Sequence, residues 1–116
     1  MLFFVIELDE ERIKRDKIIN LDKAYECIDD TFSQRQVTLY KKEGSLRYYT
    51  RNIDKHDFEY LWMVNSPFKE EPWFQYYIKT WWFCGIDDET GEIIEEESLF
   101  LHWVKRPKSP FPDNNK

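Results

Sequence analysis

With 116 residues, 41% of them hydrophobic, the chain has the length of one domain and enough apolar material for one core, which excludes intrinsic disorder over most of it. A formal charge of −6 counts against nucleic acid as a partner, because neutralising phosphates takes a net basic face, and favours a basic protein instead. Five Trp, seven Tyr and nine Phe are more rings than a core of this size readily absorbs, so some are expected at the surface, where rings make contacts.

Leu2 to Leu8 is a short apolar run rich in Phe, Val and Ile, which predicts a buried strand. No basic residue precedes it and its apolar stretch stops at Ile6, too short for a signal peptide or a membrane span, so the expected location is the cytoplasm. The charged stretch Asp9 to Lys17 reads as a mobile connection. Leu21, Ala24, Tyr25, Ile28 and Phe32 then recur at helical spacing, with Asn20 placed to cap the first turn. Residues 36–42 and 45–51 predict a β-hairpin turning at Glu43-Gly44, with Val37, Leu39, Leu46 and Tyr48 inward.

Phe58 to Val64 is nearly continuous in apolar side chains and predicts a central strand closed by Ser66-Pro67. Trp73 to Phe83 satisfies both periods; we read it as a helix that gives way to a strand from about Trp82. Asp87 to Gly91 has the composition of a hairpin turn, and Glu92 to Lys105 reads as a strand or a short helix. Pro107, Pro110 and Pro112 with Asn114-Asn115 mark a disordered tail. The expected organisation is a single α+β domain over 1–106 and a tail at 107–116. Its antiparallel sheet follows the order β-α-β-β-β-α-β, with about two helices packed mainly on one face.

The densest chemical signal is acidic. Asp87, Asp88, Glu89, Glu92, Glu95, Glu96 and Glu97 put seven carboxylates into eleven residues with no base among them. Such a run is either a solvated turn or an electrostatic docking surface for a basic protein, with Trp81, Trp82 and Trp103 as candidate ring anchors. Gly91, Ile93 and Glu97 fall at EF-hand positions, but the first ligand position would be Ile86, which cannot coordinate calcium. A second, basic grouping of Lys41, Lys42, Arg47, Tyr49 and Arg51 interleaves charge with rings and suggests single-stranded nucleic acid as an alternative ligand.

His56 and His102 stand alone, and Cys27 and Cys84 are too few and too widely spaced for a disulfide framework, so no metal site and no cofactor are expected. No nucleophile elbow, P-loop or dinucleotide fingerprint is present, and three glycines leave little loop able to wrap a phosphate. The chain therefore reads as a non-enzymatic protein-binding protein. An inhibitor or antitoxin-like immunity protein covering a basic toxin domain is the concrete form; a nucleic-acid accessory protein or a self-associating structural subunit are the alternatives.

Overall fold

The computed structural model describes residues 1–104, with residue 95 described by its backbone alone. The tail expected at 107–116 lies outside the described residues. Five strands, β1 (Leu2–Leu8), β2 (Thr38–Glu43), β3 (Leu46–Thr50), β4 (Ile78–Ile86) and β5 (Ile93–Ser98), form one sheet in the order β2-β3-β1-β4-β5. Every neighbouring pair is antiparallel. The helices are α1 (Glu10–Asp16), α2 (Leu21–Ser33), α3 (Asp57–Asn65), α4 (Pro72–Tyr77) and α5 (Leu99–Trp103), and a 3-10 turn at Ser66–Glu70 links α3 to α4. The α+β class and the antiparallel sheet agree with the sequence pattern; among the described residues the helices number five instead of about two.

The helix α2 forms where its apolar spacing requires. Asn20 caps it by accepting from the Lys23 N–H at 3.0 Å, and Ala24, Tyr25, Ile28 and Phe32 are buried. The segment expected to be a mobile connection is instead the helix α1. The Asp9 carboxylate accepts from the Arg12 N–H, glutamates fill the first turn, Lys14 and Arg15 fill the last, and Ile13 alone is buried. The segment 58–64, expected as a strand, is the helix α3. Its entry is held by the Asp57 carboxylate, which accepts from the N–H groups of Ile53 and Asp54, and it buries Leu61, Val64 and Asn65.

The core fills the side of the sheet under the helices. Phe4, Ile6 and Leu8 of β1, Tyr49 of β3 and Trp81 and Phe83 of β4 meet Ile28, Phe32, Leu61, Phe74 and Tyr77 from the helices. Edge-on ring pairs recur through it, including Phe32 with Tyr49 at 4.7 Å and Phe74 with Trp81 at 4.8 Å between centroids. Two polar clasps are built into this layer. The Trp81 indole N–H donates to Asn65 Oδ1 at 2.9 Å, and Asn65 Nδ2 donates to the Leu61 carbonyl at 2.7 Å. The Arg51 guanidinium, 4% exposed as a residue, donates to Asp54, Asp57, Gln36 and the Arg35 carbonyl.

Among the described residues, the cluster on the opposite face of the sheet includes none from a helix. Phe3, Val5 and Cys84 are buried there beneath Met1, Leu46, Tyr48, Trp82 and Ile86, all from the strands and the residue preceding them. Strand β1 is thus apolar on both faces because both are covered, one by helices and one by neighbouring rings. The β2–β3 hairpin turns through Gly44 at φ +62, the positive value a two-residue turn demands at its first central position. Val37 is buried as expected, Leu46 and Tyr48 belong to the helix-free face, and Leu39 is exposed, not inward.

Candidate interaction surface

Strands β4 and β5 bring the acidic run together on a hairpin at one edge of the sheet. Its turn is shaped by Asp87, whose carboxylate accepts from the N–H groups of Glu89 at 2.8 Å and Thr90 at 3.0 Å. Those backbone donors hold the Asp87 carboxyl below the usual carboxylate range. The Asp87 N–H donates to the Glu92 carbonyl, and Gly91 at φ +76 closes the loop. Asp87 is therefore partly committed to the turn itself.

The other carboxylates are largely free of internal cations. Asp88 accepts from the amino group of Met1 at 3.1 Å while its side chain stays 75% exposed. Glu97 lies 3.5 Å from the His102 imidazole, an ion pair only when that ring is protonated. Glu89, Glu92 and Glu96 are exposed. Among the described residues no lysine or arginine forms an ion pair with any of these groups. Glu95 sits on β5 opposite Gly85, and its side chain lies outside the described part of the structure. Glu96 lies opposite Cys84 on the helix-free face; burial, with the Glu96 charge beside it, raises the Cys84 thiol above its usual value.

The three tryptophans expected as anchors divide. Trp81 is 1% exposed and hydrogen-bonded to Asn65 inside the core, so it presents nothing to a partner. Trp82 is half-buried on the helix-free face, opposite Val5 and Ser98, beside the acidic strand. Trp103 is half-buried over Trp62 and Trp81 on the helix side, with the Lys69 ammonium 4.5 Å from its ring. Only Trp82 shares a face with Glu96.

The basic grouping does not assemble. Tyr49 is fully buried and donates to Asp29 at 2.6 Å, and burial with that bond raises its phenol strongly. Arg51 is spent in the clasp described above. Arg47 is mostly covered, lying 3.8 Å over the Tyr25 ring and 3.6 Å from Asp29. Lys41 and Lys42 remain on the exposed strand β2, with Lys41 3.2 Å from Glu43 and 4.6 Å from the Tyr48 ring. A tract of charge and stacking rings for single-stranded nucleic acid is not displayed by these five side chains.

Sequence reasoning missed the helix-free face itself. Its signal is alternation: Phe3 and Val5 on β1, Tyr48 on β3, and Trp82 and Cys84 on β4 share one parity, and Tyr40 adds a ring 56% exposed at 5.2 Å from Phe3. Among the described residues no group of three or more His, Cys, Asp or Glu is placed to hold a metal ion, and no helix is long and apolar enough to cross a membrane. Compared with protein-family models, curated proteins and solved structures, the chain finds no match.

Proposed function

We propose that this chain is a protein-binding protein of the inhibitor or immunity type, acting in the cytoplasm by covering a basic partner such as a toxin domain that attacks nucleic acid. One observation carries the reading: on the β4–β5 hairpin Asp88, Glu89, Glu92, Glu96 and Glu97 are exposed and meet no lysine or arginine among the described residues. With only the Met1 amino group at Asp88 and, when protonated, the His102 ring at Glu97 as cationic partners among the described residues, the strip keeps most of its potential for an outside cation, and in a complex that potential speeds encounter and rejects acidic competitors. Trp82 and the rings of the helix-free face adjoin the strip and supply apolar contact area. Binding, and not chemistry, is the role.

The test compares the native chain with a variant carrying Glu89→Gln, Glu92→Gln and Glu96→Gln. Each protein captures partners from its native lysate, and each recovered partner is assayed for its own activity with and without the chain. The expected result is a basic protein whose recovery falls with the amide variant and with added salt, and whose activity the native chain suppresses. Recovery of the same partner at undiminished yield by the amide variant refutes the reading.

A further inference from the structure

Among the described residues both outer strands of the sheet are open, since β2 borders only β3 and β5 borders only β4. Their charges are opposite: β2 carries Lys41 and Lys42, and β5 carries Glu96 and Glu97. Four successive antiparallel pairings separate these edges, so β2 and β5 run in the same direction. A second copy displaced along the sheet without rotation therefore lays its β2 beside β5 in parallel, with the helices of both copies on one side.

The two edges also match face by face. The Lys41 ammonium lies over Tyr48 on the helix-free side, and Glu96 stands opposite Cys84 on that same side. Lys42 is opposite Arg47, whose guanidinium covers Tyr25 of α2, and Glu97 is opposite Phe83, which packs on Phe58 of α3. Both therefore belong to the helix side. Setting Lys41 beside Glu96 brings Lys42 beside Glu97 in a single register, with no side chain moved to the wrong face. Two-fold pairing is poorer, because β5 on β5 opposes glutamates to glutamates, and β2 on β2 opposes Lys42 to Lys42 when Lys41 meets Glu43.

We propose that the chain self-associates head to tail, β2 of one copy adding to β5 of the next, in an open row of continuous sheet. Such a heterologous contact does not close on itself and grows with concentration. Its usable length is short. Tyr40 and Ile94 fall at irregularities of the strand pairing, leaving Lys41–Glu43 and Glu95–Ser98 as the regular edges. The association is accordingly weak, and salt weakens it further. The exposed Lys41–Glu43 pair is no obstacle, because a solvent-facing ion pair exchanges partners at little cost. This proposal does not depend on a protein partner, which competes for the same Glu96.

The test is sedimentation velocity on the purified chain alone, over a wide concentration range at low and high salt. The expected result is a weight-average mass that climbs continuously above the 14.4 kDa of one chain and falls back as salt is added. A chain with Lys41→Glu and Lys42→Glu is acidic on both edges, and one with Glu96→Lys and Glu97→Lys is basic on both. Each stays monomeric alone, and an equimolar mixture assembles again; far-UV circular dichroism establishes that both are folded. A native chain that is monomeric throughout, or a mixture that stays monomeric, overturns the proposal. So does a mass that stops at two chains and is abolished only by the β2 reversals, which identifies a two-fold β2 dimer.

Discussion

Replacing Asn65 with Leu isolates the buried clasp under the sheet. Asn65 is 0% exposed, and its Oδ1 is the acceptor for the Trp81 indole N–H. Leucine keeps nearly the same shape but leaves that donor buried and unpaired, a loss of about 1–3 kcal/mol. Losing the Nδ2 bond to the Leu61 carbonyl adds little, because that oxygen can still take the backbone bond of its helix. For about 100 ordered residues, each kcal/mol lowers Tm by about 4–8 °C.

Trp81→Phe destabilises from the other side by orphaning Asn65 Oδ1 and opening a void beside Phe74 and Trp103. The combined variant removes donor and acceptor together and leaves neither unpaired. Its loss is expected to fall short of the sum of the single losses by a coupling of about 0.5–3 kcal/mol. Urea unfolding of the four proteins, followed by tryptophan fluorescence and circular dichroism, measures all the terms. Strictly additive losses would show that the clasp contributes nothing, and a Trp81→Phe chain with unchanged stability would return Trp81 to the surface as a partner contact.

Asn20→Ala removes the cap of α2 and is expected to cost about 1 kcal/mol, read as a lower urea midpoint with an unchanged slope; an unchanged midpoint contradicts the capping role. Alkali is expected to unfold the protein. Burial, with the hydrogen bond to Asp16, pushes the Tyr77 phenol from 10.0 up to about 12, and burial raises Tyr25 and Tyr49 strongly as well. A phenol whose folded pKa lies above its unfolded value favours the native state while protonated in both. That contribution is complete below pH 10 and is lost as pH climbs from 10 through 12. Absorbance at 295 nm should show these three rings ionising only with loss of the circular dichroism signal; their ionisation in the folded protein near pH 10 would refute the assignment.

The parts of the fold legible in the sequence are those where one face alone is apolar. In α2 the contrast between Ile28 and Phe32 inside and the charged residues outside, with Asn20 in front, specifies both period and start. In α3 no such contrast exists. Phe58 and Met63 are exposed, Trp62 is half-buried and Leu61 and Val64 are buried, so the helix is apolar nearly all round and its sequence reads like a central strand. Conversely α1 buries Ile13 alone, and one apolar residue has no period; its caps were the available signal.

The same limit governs the site. The acidic run was legible because like charge in a row needs no fold to be seen. Whether Trp81 or Trp82 faces outward depends on which parity of β4 lies under α4, and both residues are tryptophan. The helix-free face was hidden because Phe3, Tyr48 and Trp82 come from three strands scattered along the chain.

The position of β1 has a consequence for how the chain is made. It occupies the middle of the sheet, yet its two neighbours come from residues 46–50 and 78–86, so Phe3 waits for Cys84 before its second flank is paired. During synthesis this two-sided apolar strand therefore emerges before either neighbour and gains its second partner only once residues 78–86 have followed, which makes folding slow and leaves a sticky ribbon exposed to aggregation meanwhile. Ribosome-bound chains halted before residue 78 should be the form most in need of a chaperone.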